Sequence, residues 1–194
     1  GPSITLLSAE RLVLNVMQRM SAIATLTNKY VKALEGLNTK VLDTRKTTPL
    51  IRFLEKEAVK IGGGVNHRYG LYDMIMLKDN HNDFAGGIEN SINKTIQYLR
   101  ENNLNLKIEV ETRNIEEVKE VLKVGNIDRI MLDNFNYEDM RKAVKLINNQ
   151  YETEASGGIN LETVRKYAEC GVDFVSVGAL THSVSNMDLS LKAI

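Results

Sequence analysis

The sequence contains little that would suit life outside a cell or within a membrane. It has one cysteine, Cys170, so no disulfide can close within the chain. This fits a reducing compartment and leads us to expect a cytoplasmic protein. It has no surplus of either charge, since 25 basic side chains meet 25 acidic ones. That removes the broad electrostatic case for nucleic acid or an anionic membrane surface, and leaves room for a local basic pocket. No apolar run approaches the ~20 residues that cross a bilayer. No basic segment followed by an apolar one opens the chain, so no leader is visible. Gly1-Pro2-Ser3 passes within a few residues into a helical pattern, as in a chain entered midway. Internal repeats, low-complexity stretches and Pro- or Ser-rich linkers are also missing. The expectation is therefore one domain over residues 1–194.

What is present is an alternation of short apolar runs with amphipathic helical patterns. A long helix is read from Ser8 to about Glu35, with Leu12, Val13, Val16, Met17, Met20, Ile23 and Ala24 at helical spacing and Gly36 as its stop. Strands are read at 41–42, 74–77, 108–110, 130–132, 151–155 and 174–177. Helix starts are marked by Pro49 after Thr48, by Asn114 with Glu117, by Asn136 with Asp139, and by Asn160. Gly171 ends the last of these helices, and Cys170 sits in it as packing. Alternation of this kind means parallel strands with helical crossovers. No Gly-rich dinucleotide fingerprint follows the first strand. A polar residue or glycine follows nearly every strand instead: Asp43, Lys78, Glu111, Asp133, Ser156 and Gly178. The fold class expected is α/β, a parallel β/α barrel of about six strands preceded by a long N-terminal helix, with the site on the rim where strands end. It would be a short or distorted form of the eight-stranded type.

Five segments carry chemistry. Asp43-Thr44-Arg45-Lys46-Thr47 places two cations at a strand end, suited to an anion or to a solvated turn. Gly62-Gly63-Gly64-Val65-Asn66-His67-Arg68 combines glycines that let backbone approach a ligand with two further donors. Lys78-Asp79-Asn80-His81 offers a lysine to a pocket, with His81 read as structural. Glu109 and Glu111 share one face of a strand and, if buried, need cations or a metal. Glu111 and Asp133 could hold magnesium, pair with the basic cluster, or both. Ser156-Gly157-Gly158 and Gly178-Ala179 form two glycine turns after the last strands, where barrels often hold phosphate. No Ser-His-Asp arrangement or reactive cysteine is evident.

Taken in order, these segments resemble the motifs of quinolinate phosphoribosyltransferases. The resemblance also takes in Leu132-Asp133-Asn134-Phe135, Glu154-Ala155, Val177, Leu180-Thr181-His182-Ser183, and Ser8-Ala9-Glu10-Arg11 with Asn15. It implies transfer of phosphoribosyl from phosphoribosyl pyrophosphate to quinolinate, with decarboxylation and magnesium as cofactor. The products would be nicotinate mononucleotide, pyrophosphate and carbon dioxide, in NAD biosynthesis. By that resemblance Arg45, His67, Arg68 and Lys78 surround the quinolinate carboxylates and Lys46 lies near phosphoribosyl pyrophosphate. Glu111 and Asp133 serve the ribose and metal side and, with Lys46, carry the catalytic role. Ser156, Gly157, Gly158, Gly178 and Ala179 cradle phosphate. Arg11 reaches the neighbour's site in a homodimer. Family members also carry an N-terminal domain of about a hundred residues that this chain lacks. Ala22 stands where the family usually has glycine.

Three other readings stand beside this one. A molybdenum-transport-associated pyrophosphorylase-like barrel shares part of the rim. A phosphosugar isomerase or aldolase would use the phosphate turns without needing four cations around a dicarboxylate. A barrel excerpt that binds phosphate ligands and dimerises would never turn over.

Overall fold

A computed structural model describes residues 1–192. Its sheet has six parallel strands: β1 (Lys40–Leu42), β2 (Ile75–Leu77), β3 (Ile108–Thr112), β4 (Arg129–Asp133), β5 (Glu152–Ser156) and β6 (Phe174–Ser176). Their spatial order is β1-β6-β5-β4-β3-β2, the cyclic order of a barrel cut at one seam. At that seam β1 and β2 share no ladder. Val65 fills part of the gap, its N–H donating to Val41 and its carbonyl accepting from Asp43. The expected six-stranded, distorted barrel is therefore present, open between its first two strands.

The long helix α1 (Ser3–Ala33) packs on α2 (Arg52–Ile61). Six more helices follow: α3 (Asp79–Ala85), α4 (Ile88–Glu101), α5 (Ile115–Val124), α6 (Tyr137–Ile147), α7 (Val164–Ala168) and α8 (Ala179–His182). Asn114 and Asn136 cap α5 and α6 by accepting from Glu117 N and Asp139 N. Among the described residues no helix is long and apolar enough to cross a membrane.

Period-2 alternation divides the strand residues between two environments. Val41, Ile108, Val110, Ile130, Leu132, Ala155 and Val175 join the buried side chains of the helices in one apolar core. The alternate residues face the barrel axis and are largely polar: Glu109 and Glu111 on β3, Arg129 and Asp133 on β4, Glu154 and Ser156 on β5. The interior of this barrel is thus held by charge as well as by packing. Arg129 lies over the Phe174 ring at 4.1 Å and donates to Glu152 and Glu154.

Five expectations are corrected. α7 begins at Val164 with Thr163 as its N-cap, not at Asn160, whose side chain accepts from Glu162 N and Thr163 N in the turn before it. α2 begins at Arg52, not Pro49, because Leu50 adopts φ 70 and breaks the run. Only Leu14, Ala22, Ile23, Thr27 and Tyr30 of α1 are buried, while Leu12, Val13 and Met17 are exposed, so the apolar stripe of its first half has no cover in this chain. Cys170 is buried but lies in the turn after α7, which ends at Ala168. The triple glycine serves packing rather than a ligand. A Cβ on Gly62 would fall 2.5 Å from the Ala24 carbonyl oxygen, and one on Gly64 would fall 2.8 Å from both Thr27 Cγ2 and Val59 Cγ1. Gly63 alone takes positive φ, at +89.

Gly64→Ala should therefore destabilise the protein by about 1–3 kcal/mol, the usual cost of overpacking. Urea unfolding would show this as a lower midpoint with unchanged slope.

Candidate active site

The strand ends open into a cavity of ≈ 820 Å³. Almost every residue singled out from the sequence lines it: Arg45, Lys46, His67, Arg68, Lys78, Glu111, Asp133, Ser156, Gly157, Gly158, Gly178 and Ala179. Arg11 does not. It is exposed on α1, outside its own chain's cavity.

The acids lie deepest. Glu109 and Glu154 are fully buried, and His67 Nε2 stands 2.9 Å from the first and 3.2 Å from the second. Burial alone would lower the His67 pKa, but the two carboxylates outweigh it and carry it up to about 9. Burial and then the charge of Glu154 push Glu109 up to about 7. Glu154 is held below the ordinary range because His67 and Arg129 outweigh its burial. The Arg68 backbone nitrogen lies 2.6 Å from His67 Nδ1, which suits the neutral ring, whereas the carboxylates favour the imidazolium. Both forms carry the proton on Nε2. The imidazolium is the form favoured at neutral pH, because the contacts to Glu109 and Glu154 outweigh burial and carry the ring to about 9. With Nε2 facing the two carboxylates and Nδ1 facing the Arg68 backbone nitrogen, His67 acts on a ligand through its charge.

Above this layer Lys78 Nζ donates to Glu111 Oε2 at 2.9 Å. His81 Nδ1 accepts from Lys78 N and caps α3, a structural role as expected. Asp133 Oδ2 accepts from Asn134 Nδ2. Gly157, at φ +95, lies so close to the Asn134 side chain that any Cβ would collide with it. Gly158, at φ +61, has nothing within 4 Å of a built Cβ and leaves open space for a ligand. Gly178 is crossed by Lys46 Cδ, 3.2 Å from a built Cβ, and by the His182 ring at 3.0 Å. Lys46 is thereby brought beside the second glycine turn.

Arg45, Lys46 and Arg68 have no acidic partner at salt-bridge distance among the described residues. Arg45 Nε and NH1 are shielded from solvent without a hydrogen-bond partner. Burial, and then the like charge of Arg45, lowers the Arg68 pKa. Two guanidinium groups held together in this way call for an anion.

Glu154, Arg129, Asn134 and His182 were not chosen as site residues from the sequence. Glu154 and Arg129 could have been found from the period-2 rule that placed Glu109 and Glu111, because β5 and β4 alternate in the same sense.

The raised His67 pKa has a measurable consequence. The stability gained from its protonated contacts is complete below the ordinary value of 6.5 and is lost as pH rises through about 9. Urea unfolding across that window should show falling stability, and Glu109→Gln should flatten the fall.

The model of the quinolinate phosphoribosyl transferase C-terminal domain matches residues 23–192. Nicotinate-nucleotide pyrophosphorylase [carboxylating], chloroplastic, of Arabidopsis thaliana is 49% identical over 99% of this chain and 59% of its own length. Quinolinate phosphoribosyltransferase [decarboxylating] 2, mitochondrial, of Nicotiana glauca is 48% identical over 99% of this chain and 58% of its own. The crystal structure of NadC from Streptococcus pyogenes superposes with a TM-score of 0.91 at 40% identity, covering 100% of this chain and 67% of that one. The chain thus spans less than two thirds of these curated plant relatives, and the matched segment holds the whole cationic cavity. The chain belongs to the quinolinate phosphoribosyl transferase family, with the family's C-terminal domain as its matched part.

Proposed function

We propose that this barrel transfers phosphoribosyl from phosphoribosyl pyrophosphate to quinolinate, releasing pyrophosphate and carbon dioxide and leaving nicotinate mononucleotide. The observation that carries the reading is the pair of like-charged guanidinium groups, Arg45 with two unpartnered nitrogens beside Arg68. A ring bearing two adjacent carboxylates supplies the acceptors they lack. His67 adds a positive charge at the cavity base, and Lys78, at the end of β2, pairs with Glu111 on the neighbouring strand.

Orientation does most of the work in such a reaction. With its carboxylates held by cations, quinolinate presents its ring nitrogen to C1 of the ribose. That nitrogen forms the new bond as the bond to pyrophosphate breaks, so no protein nucleophile is needed. Positive charge developing on the ribose is met by Glu111 and Asp133. Once alkylated, the positive ring nitrogen stabilises the electron pair left on the adjacent carbon when carbon dioxide departs, and that carbon then takes a proton from solvent. Lys46, beside the Gly178 turn, neutralises phosphate. The Gly157-Gly158 turn offers backbone and open space to the second phosphate end.

Glu111 retains Oε1 beyond its bond to Lys78, and Asp133 retains Oδ1 beyond its bond to Asn134. These are hard oxygen donors fit to hold a hydrated magnesium ion that would neutralise pyrophosphate as it leaves. We also propose a homodimer. Arg11 and the exposed Leu12 and Met17 lie on the uncovered half of α1, which supports a partner there.

Mass spectrometry of a reaction with phosphoribosyl pyrophosphate and magnesium should find nicotinate mononucleotide with quinolinate and none with nicotinate. Product from neither substrate would count against the barrel acting alone. Arg68→Ala should weaken quinolinate binding by about 10–100-fold, the loss of a charge-assisted contact, and leave thermal unfolding little changed. An equal loss of fold and binding would make Arg68 structural.

A further inference from the structure

The segment that carries Arg45 and Lys46 has no secondary structure between β1 and α2. Three side chains of α2 anchor it at both ends and in the middle, and Thr181 Oγ1 adds a bond to the Lys46 carbonyl at 2.9 Å. Lys56 Nζ reaches Asp43 Oδ1 at 2.5 Å and the His67 carbonyl at 3.0 Å, so one ammonium ties the start of this segment to the His67-Arg68 segment. His67 N donates to the same Asp43 oxygen at 2.8 Å. Glu55 takes the other end. Its Oε2 accepts from Thr48 N at 3.0 Å and its Oε1 from Thr48 Oγ1 at 2.8 Å. Oε1 also holds Arg19, whose guanidinium donates to the Thr181 carbonyl just beyond the Gly178 turn. Between them Arg52 Nε donates to Thr47 Oγ1 at 2.9 Å.

Glu55 and Lys56 are adjacent, fully buried and oppositely charged, yet each is paired away from the other. Successive helix positions point about 100° apart, so the two charges serve two different segments. Taking either charge out of water carries a large desolvation penalty that only pairing offsets. An apolar pair would fill the same space without that cost, and would leave both segments unfixed.

We infer that Glu55 and Lys56 are positioning residues, which set the two cation-bearing segments against each other from one helix. Lys56, through Asp43, governs the guanidinium pair of Arg45 and Arg68. Glu55, through Thr48 and Arg19, governs Lys46 and the Gly178 turn. The inference deepens the quinolinate and phosphoribosyl pyrophosphate reading and rests on it for the identity of the ligands, but not for the placement of the segments.

The test uses two variants and a control in this chain. Asp43→Asn with Lys56→Met removes one arm without leaving a buried charge unpaired. Glu55→Gln turns an amide donor toward the Thr48 N–H and breaks the other arm. Lys60→Met, at an exposed position on the same helix, is the control. Amide exchange would be read at residues 44–48 and 66–68, and calorimetry would read binding of quinolinate and of phosphoribosyl pyrophosphate with magnesium. The double variant should speed exchange in both segments and weaken quinolinate about tenfold or more, as misplaced binding groups do, with less effect on phosphoribosyl pyrophosphate. Glu55→Gln should show the opposite preference and speed exchange near Thr48. Folded variants with control-like exchange would overturn the inference. So would equal losses for both ligands that merely track a loss of stability. If the control itself binds no quinolinate, the functional reading fails, and exchange alone still decides the positioning.

Discussion

Glu109 and Glu154 stand side by side inside the barrel, both without solvent, and neither can remain there charged unless cations come to them. His67 crosses the open seam from the segment that bridges β1, and Arg129 rises from β4 between them. The same condition is repeated outward. Asp43 is met by Lys56, Glu55 by Arg19 and Glu111 by Lys78. Breaking one partner of a buried pair is far more damaging than replacing both, so the arrangement constrains its members jointly. The barrel interior is therefore a set of matched charges, and the hydrophobic core lies outside it, between sheet and helices.

A balanced interior makes the imbalance at its mouth meaningful. The whole chain carries no net charge. The acids near the cavity are largely taken up by His67, Arg129 and Lys78, while Arg45, Lys46 and Arg68 have no acidic partner among the described residues. The positive field of the mouth thus comes from placement rather than composition. In a walled cavity such a field is less screened than at an open surface. A polyanionic substrate pair is the chemistry that suits it, and the two glycine turns put backbone where phosphate can approach.

Local pattern was enough to place six strands to within one or two residues and the starts of α5 and α6, since alternation and Asn caps are local effects. It was also enough to bring the site together: a charged residue just after an apolar run in a parallel fold lies on the rim. Pro49 misled because Leu50 turns the chain in a way no local rule foresees. The glycines at 62–64 misled because a small residue needed for close packing against α1 looks the same in sequence as one needed for close approach to a ligand.

The sequence by itself determined the α/β class, the rim position of the cationic residues and the two glycine turns, because periodicity and chain order carry that information. Tertiary structure alone decided which charges are paired. His67 meets Glu109 across 42 positions of the chain and Glu154 across 87, by difference of their numbers. Glu55 and Lys56 look like an ordinary solvated pair on an amphipathic helix until α1 and the two loops close over them. Electrostatic partnership depends on distance and on the exclusion of water, and both arise only when distant segments are folded together.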